Sequence, residues 1–279
     1  MYALIAVGYN IVYGIVKLIN MAHGNVFMVA GFIATWGVIG WLLPMPIAYV
    51  AGVAVAAVIM VLVDITAYRP LREYKMSAYV AAVAVGFVLQ NAVIVFLSPM
   101  PLPFPRPEFA SRVLHFAGLS LPFISVVATG VGVILFLGLF YLVNRTKIGK
   151  AMRAVSESRE ASQLMGIEPK VVITFAFALS SLYAGIGALV WGLKYPMMEY
   201  TSGVMPGLKG FIASVLGGIG HLPGSVIGGF IIGFSEVMFV AFLPRLTIWR
   251  DVFAYLLLVL FLLLRPGGIF NVKVIEEKV

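Results

Sequence analysis

The sequence contains no cysteine, only three histidines, and few charged residues, which make up 11% of its 279 positions. The absence of cysteine excludes a disulfide framework, a thiol nucleophile and a cysteine-ligated metal site. The histidines His23, His115 and His221 are far apart in the sequence and predict no metal centre. The sequence also lacks the phosphate-binding GxxxxGK[ST] loop, the HExxH zinc motif and the GxSxG nucleophile motif. We therefore predict no catalytic site, no metal site and no ATP site in this chain.

Hydrophobic residues make up 62% of the chain, far more than a soluble domain contains. They are concentrated in long runs, most of which can cross a hydrocarbon core of roughly 30 Å as helices. These runs cover residues 2–19, 26–43, 47–67, 78–97, 123–143, 171–193, 211–219, 224–243 and 252–264. We expect an all-α fold, with residues 1–279 forming a single polytopic transmembrane bundle of about eight or nine helices.

Two of these runs are short for a membrane span. The first begins at the second residue, so we expect the first helix to be truncated at its start. The run 211–219 is flanked by glycine pairs and proline, and it predicts a short, broken or re-entrant helix.

Lysine and arginine cluster in a few loops, and the positive-inside rule accounts for most of the net charge of +8. The segments expected on the cytoplasmic side are residues 67–76, residues 144–170 and the tail that carries Lys273 and Lys278. The proline-rich loop 98–122 is expected on the outside. With the tail inside, the short run 211–219 has to cross the membrane. An eight-helix arrangement with the tail outside is the alternative.

Residues 144–170, NRTKIGKAMRAVSESREASQLMGIEPK, form the longest polar run in the chain. Six of these residues are basic and three are acidic. Residues 153–165 contain no glycine or proline, and Gly166 follows at the position of a helix C-cap. We predict a short helix on the cytoplasmic face that is presented to another molecule.

Few acidic residues lie in or near the apolar runs, and they are Asp64, Glu236 and Asp251. A charge in the middle of a span is costly, so Glu236 predicts either a functional group or a neutral acid that hydrogen-bonds between helices. The amides Gln90 and Asn91 also lie inside a run, where they either contact a polar solute or join helices. The shortage of fixed charge fits a solute that is neutral overall.

Asn20 and His23 interrupt two apolar runs near the predicted cytoplasmic side. They indicate either a kinked, water-exposed break along a path or a simple turn between two helices. Residues 207–233 contain nine glycines, which allow an unwound turn at membrane depth. This segment predicts a broken helix at a translocation path, a tight helical hairpin, or both. The predicted translocation-path residues are Asn20, His23, Gln90, Asn91, Gly217, Gly218, Gly220 and Glu236.

Several segments, in this order, resemble the membrane permeases of branched-chain amino-acid ABC importers and the related urea and amide permeases. They are YALIAVGYNIVYGIVKLINMAHGNVFMVAGF, AYRPLR, RTKIGKAMRAVSESREASQLMGI, LGGIGHLPGSVIGG and LLLRPGGIF. The resemblance covers nearly the whole chain. It implies a type II ABC importer-like bundle, a multi-pass subunit of the cytoplasmic (inner) membrane that forms the path for branched-chain or similar neutral amino acids.

The resemblance also implies a role for the loop 144–170. Permeases of ABC importers carry a cytoplasmic Glu-Ala-Ala pattern, followed four residues later by glycine. Here the pattern is Glu160, Ala161 and Ser162 with Gly166, and serine at the third position departs from it. By resemblance this helix docks in a groove of a separate ATPase. Glu160 and bases such as Arg153 would fix its register, the small residues would allow close approach, and Gly166 would turn the chain back.

The implied partners are a second permease subunit, identical or related, two ABC ATPase subunits and an extracytoplasmic solute-binding protein, within membrane lipid and without nucleic acid. The chain itself would bind no cofactor, because ATP and Mg²⁺ belong to the ATPase. The binding protein would set most of the specificity, so the exact solute stays open. A secondary transporter or channel acting alone is the alternative, and a membrane scaffold without transport is the third. The cytoplasmic Glu-Ala-Ser helix and the shortage of coupling acids favour the importer.

Overall fold

The fold is a bundle of helices, seen in a computed structural model that describes residues 1–116, 119–265 and 267–270. The helices are α1 (Tyr2–Val16), α2 (His23–Ile39), α3 (Met45–Val63), α4 (Lys75–Phe96), α5 (Phe123–Arg145), α6 (Lys147–Glu157), α7 (Arg159–Leu164), α8 (Pro169–Lys194), α9 (Val204–Gly217), α10 (Leu222–Phe242) and α11 (Arg250–Leu264). A π-helical turn, Asp64–Tyr68, extends α3, and 3₁₀ turns cover Glu108–Ser111 and Pro244–Trp249. The expected helical bundle is confirmed at this level.

Two small antiparallel strand pairs were not predicted from the sequence. The strands are β1 (Leu102–Pro103), β2 (Val113–Phe116), β3 (Leu119–Pro122) and β4 (Met197–Met198). Strand β1 pairs with β4, and β2 pairs with β3. All four lie in loops between apolar helices, so they tie loops together and leave the helical architecture unchanged.

Each predicted apolar run coincides with one helix. Within the described residues, six helices are long and apolar enough to cross a membrane, and α1, α2 and α9 are shorter apolar helices. The run 211–219 proves to be the end of a longer helix, α9, which already begins at Val204. Its first half was missed because Lys209 and the glycines around it lower the local hydropathy.

The helices differ widely in how much of their surface other helices cover. Helix α8 has 61% of its most apolar window buried, whereas α5 and α11 have only 6% buried. The buried core is built around α1, α2, α3 and α8 and includes fully buried side chains such as Phe27, Phe32 and Phe177. The poorly covered helices therefore lie at the periphery, where lipid or another chain has to cover them.

The central helices touch through their backbones at glycines. A Cβ atom at Gly24, in α2, would lie 2.5 Å from the carbonyl oxygen of Gly203, just before α9. A Cβ atom at Gly228, in α10, would collide with the carbonyl oxygen of Ala213, in α9. Lipid provides no hydrophobic driving force for the association of helices, so membrane helices depend on close packing. Small residues allow this close packing.

The two basic loops lie at the same end of the bundle. Asp64, at the start of the first loop, accepts a hydrogen bond of 2.6 Å from the hydroxyl of Thr174, in the first turns of α8 just after the second loop. The pairing of β1 with β4 closes the opposite end, where Tyr49 donates to the carbonyl of Pro105 at 2.6 Å. We call these the cytoplasmic and outer ends. Pro266 and the predicted cytoplasmic tail with Lys273 and Lys278 lie outside the described residues.

We predict that Gly228→Leu destabilises the bundle, because a leucine side chain has no room between α9 and α10. Overpacking of this kind costs about 1–3 kcal/mol. Thermal unfolding of the purified protein in detergent measures the effect. Gly130→Leu in α5 is the matched control, since no atom lies within 4 Å of its added Cβ. Equal stability of the two variants would contradict the close α9–α10 contact.

Candidate functional site

The polar loop at the cytoplasmic end forms two helices, where an uninterrupted helix over 153–165 was predicted. The break falls at Ser158, whose backbone is extended at φ −153° and ψ 119°. The Ser158 hydroxyl accepts a hydrogen bond from the Ala161 N–H at 3.2 Å and so caps the second helix. The serine side chain offers the backbone a hydrogen bond in place of the helical one, so α6 ends and a new helix, α7, begins. The prediction of one helix relied on the absence of glycine and proline, which does not exclude a break at serine.

Helix α7 presents part of the predicted coupling pattern on its surface. Glu160 and Ala161 are exposed, whereas Ser162 is buried and its hydroxyl donates to the carbonyl of Ser158 at 2.7 Å. Gly166 has φ +79° and ends the helix in the left-handed conformation predicted from the sequence. Arg153 lies on α6 and donates to the carbonyl of Val143, so its guanidinium caps the end of α5.

Two apolar side chains at the tip of α7 were missed by the sequence reasoning. Leu164 is 89% exposed and Met165 is 82% exposed, at the end of the chain's most polar loop. A pair of large apolar side chains projecting from a polar surface indicates a contact with a partner. The sequence shows this apolar pair, Leu164 and Met165, within a polar loop and directly before the helix-ending Gly166.

Helix α7 is tied to the transmembrane bundle. The guanidinium of Arg159 donates to the carbonyl of Val16, the last residue of α1, at 3.0 Å. The other loop is anchored beside it by Asp64, which is fully buried and forms an ion pair with Arg72. The Thr174 hydroxyl donates to Asp64 and accepts from the Arg69 guanidinium at 3.0 Å. This cluster, Asp64, Arg69, Arg72 and Thr174, is called the cytoplasmic clamp below.

The break between α1 and α2 is buried, and its polar side chains are hydrogen-bonded except at His23 Nε2, which has no hydrogen-bond partner among the described residues. Asn20 accepts hydrogen bonds from the Ala22 N–H at 3.1 Å and from the Tyr68 hydroxyl at 3.0 Å. His23 is fully buried, and its Nδ1 lies 3.2 Å from the Ser180 hydroxyl, which in turn donates to the Gly8 carbonyl. Both side chains thus join helices in this structure.

The predicted amides Gln90 and Asn91 point to different partners. Gln90 donates to Asn25 at 2.9 Å and so joins α4 to α2. Asn91 is exposed and donates to the carbonyl of Phe87 on its own helix at 2.8 Å. The structure does not bring these amides together with Asn20 or Glu236.

The predicted glycines Gly217, Gly218 and Gly220 form the unwound turn between α9 and α10. Gly218 and Gly220 have φ of +103° and +90°, a region that favours glycine. The buried Asn10 of α1 holds this turn. Its oxygen accepts from the Gly220 N–H at 2.9 Å and from the Ser214 hydroxyl at 2.6 Å, and its nitrogen donates to the His221 carbonyl at 3.3 Å. The segment is therefore both a helix break and a tight hairpin.

Glu236 belongs to a charge cluster at the outer end, which the sequence reasoning did not foresee. Its carboxylate contacts the Lys209 ammonium at 2.6 Å and the Arg250 Nε at 2.7 Å. Lys209, only 2% exposed, also contacts Asp251 at 2.6 Å. Of the two alternatives predicted for Glu236, a functional group or a neutral acid that hydrogen-bonds between helices, the second is modified, because Glu236 joins helices through ion pairs. We call Lys209, Glu236, Arg250 and Asp251 the outer cluster; it carries two positive and two negative charges.

The predicted shortage of fixed charge overlooked Lys209, which stands in the first half of α9. Because that half was not recognised as helix, a lysine inside a membrane-embedded segment went unnoticed. The pairing with Glu236 crosses 27 positions of sequence, and only the α9–α10 hairpin reveals it. The cluster carries no net charge, which keeps this end of the bundle compatible with a neutral solute.

An apolar bundle whose described residues include six helices of membrane-spanning length is a multi-pass membrane protein. The sequence model described as "Branched-chain amino acid transport system / permease component" matches residues 1–262. The chain belongs to this permease family.

Several relatives agree with this assignment. The high-affinity branched-chain amino acid transport system permease protein BraD of Pseudomonas aeruginosa is 31% identical over 99% of this chain and 93% of its own length. LivH of Escherichia coli K12, a permease protein of the same description, is 31% identical over the same shares. The probable branched-chain amino acid transport permease protein LivH of Methanocaldococcus jannaschii is 27% identical over 96% of this chain and 88% of its own length. No solved structure matches the chain significantly.

We predict that Asp64→Asn destabilises the protein, because it leaves Arg72 buried beside a neutral amide. Removing one partner of a buried ion pair costs about 3–5 kcal/mol. Thermal unfolding in detergent measures the loss. Glu73→Gln removes an exposed acid from the same loop and is the control. A loss no greater than in that control would show that the cytoplasmic clamp contributes little.

The outer cluster gives a second prediction. Lys209→Met leaves Glu236 and Asp251 with a single cation, so we expect a marked loss of stability. The double variant Lys209→Met with Glu236→Met keeps the charges balanced, and we expect it to regain part of that loss. The same unfolding assay compares the two. A double variant less stable than Lys209→Met would rule out the ion pair as the reason.

Proposed function

We propose that this chain is the transmembrane permease subunit of an ATP-driven importer of branched-chain or similar neutral amino acids in the cytoplasmic membrane. Membership of the permease family and the printed names of its relatives support the substrate class. The observation that carries the coupling role is the exposed helix α7, which ends at Gly166 and is tied to α1 by Arg159.

The coupling surface is α7 itself. Glu160 and Ala161 offer an exposed polar and small face, and Leu164 and Met165 offer an apolar tip that fills a pocket in the ATPase. Displacement of α7 by the closing ATPase pair reaches α1 through the bond from Arg159 to Val16. The cytoplasmic clamp holds the base of α8 against the end of α3, so both loops move as one unit.

The membrane arrangement is a single domain, type II-like, with nine apolar helices inserted. Gly220, in the α9–α10 turn, approaches Gly14 near the cytoplasmic end of α1, which supports a crossing by α9. The N–H of Ile269 donates to the carbonyl of Leu216 at the same turn, which supports a cytoplasmic tail.

The partners follow from the uncovered surfaces. A second permease, identical or related, packs against α5 and α11, because other helices of this chain cover little of their surface. A solute-binding protein contacts the outer end, where the loops contain the strands β1 to β4. An importer does not need Glu236 as a proton carrier, and its pairing with Lys209 and Arg250 argues against a lone proton-coupled transporter.

The first experiment is co-purification of the tagged chain from its own membranes, with the bound proteins identified by mass. An ABC ATPase and a second permease are the expected companions. The chain purified alone, and transporting leucine in vesicles without ATP, would overturn the importer assignment.

The coupling surface gives a further prediction. Leu164→Ser combined with Met165→Ser removes the apolar tip, and we expect loss of ATP-dependent leucine uptake and weaker retention of the ATPase, with normal membrane insertion. Met76→Ser removes another apolar side chain exposed at the cytoplasmic end, 76% accessible, and is expected to transport normally. Full leucine uptake by the double variant would show that α7 is not the docking element.

A further inference from the structure

A deep crevice opens between five helices at the outer end of the bundle. Residues of α1, α5, α8 and α10 line it together with Arg250 of α11, and its volume is about 750 Å³. The wall from α5 belongs to the first half of that helix, between Ser125 and Phe136. The crevice is separate from the α9–α10 turn, and of the path residues predicted from the sequence it includes only Glu236.

The wall of the crevice carries several polar and charged groups. Ser125 and Thr129 contribute hydroxyl groups from α5, and Lys194, Glu236 and Arg250 contribute charges. Polar groups facing hydrocarbon are costly, so membrane proteins turn them towards protein or water. Thr129 is exposed, and its hydroxyl already donates to the carbonyl of Ser125 at 2.9 Å, so the charged groups are the informative ones. The composition of the wall thus indicates a polar occupant.

The charges on the wall have both signs and are partly available. The ion pairs of Arg250 run through Nε, and 44% of its side chain remains exposed, which leaves the two terminal nitrogens of the guanidinium for an anion. Lys194 is also exposed. The Glu236 carboxylate also lines the wall, but it is only 8% exposed and is already paired with Lys209 and Arg250. The remaining wall is apolar and includes Val133, Phe136, Val226 and Val237.

We propose that this crevice binds the transported solute, a zwitterionic amino acid with an apolar side chain. The solute carboxylate lies at Arg250 and Lys194, and its side chain packs on the valines and Phe136. This assignment rests on the proposed function and adds the place and the chemistry of recognition within the permease.

Two glycines of α5 offer a matched test. Gly132 lines the crevice and Gly130 does not. No atom lies within 4 Å of a Cβ added at either position, so a side chain fits at both without disturbing the fold. Residues two positions apart on a helix are separated by about 200° around its axis, so Gly130 and Gly132 lie on opposite faces of α5. The natural absence of cysteine lets each position carry the chain's single thiol.

The experiment places Gly132→Cys or Gly130→Cys in the tagged chain, in cells that make the whole transporter. A membrane-impermeant cationic methanethiosulfonate reagent is added outside, and labelling is read on the purified chain. Only a hydrated thiol ionises and reacts readily. We expect Gly132→Cys to react severalfold faster than Gly130→Cys, and leucine to slow the labelling of Gly132→Cys alone.

The charge requirement is tested in the Gly132→Cys background. Arg250→Gln is expected to abolish most of the protection by leucine, because the solute carboxylate loses its partner. Arg245→Gln, an exposed arginine of the same outer segment outside the crevice wall, is expected to keep the protection.

The outcomes separate the two proposals. Equal labelling at both positions, or labelling of Gly132→Cys that leucine does not affect while uptake is normal, would overturn the crevice as a solute site. Failure of the unmodified transporter to take up any amino acid would overturn the proposed function instead. In that case the contrast between Gly132→Cys and Gly130→Cys still decides whether the crevice is hydrated.

Discussion

The whole structure depends on one constraint, that no backbone polar group can be left without a partner where lipid excludes water. The chain unwinds at membrane depth between α9 and α10, which exposes the backbone groups of Gly220 and His221. The side chain of Asn10 satisfies both and accepts from Ser214 as well. Helix α1 can therefore pack directly on the hairpin, and the glycine contacts between α9 and α10 follow from that packing.

Both ends of the bundle contain buried charged side chains, and ion pairs stabilise them at each end. The cytoplasmic clamp buries Asp64 and surrounds it with Arg69, Arg72 and Thr174, so an acid at the end of α3 joins two loops. The outer cluster pairs Lys209 and Arg250 with Glu236 and Asp251. Each charge has a partner of opposite sign, which lowers the cost of removing it from water. The clamp joins the two cytoplasmic loops, and Glu236 and Arg250 of the outer cluster line the wall of the outer crevice.

Helix α1 connects these regions because it runs through the middle of the bundle. Its last residue, Val16, accepts from Arg159 of the coupling loop, and its middle, at Asn10, holds the hairpin turn. Its first turn lines the crevice with Tyr2. The helix that Arg159 contacts at its last residue therefore also lines the outer crevice with its first turn.

The sequence by itself determined the membrane-protein class, the approximate position of the apolar helices apart from the first half of α9, and the helix-ending glycine at Gly166. These features follow from local patterns, namely apolar runs of membrane length, loops rich in basic residues and a glycine after a polar helical stretch. The family motifs added the expected coupling residues. What the sequence could not determine was which side chains meet.

Only the tertiary structure decided that Lys209 pairs with Glu236, that Asn10 holds a turn more than 200 positions away, and that Asn20 and His23 join helices. It also decided that Ser158 divides the cytoplasmic helix. These outcomes depend on how helices are arranged around one another, and hydropathy averages carry no information on that arrangement. A buried charge or amide is stable only with a partner, and the fold alone brings the partner within reach.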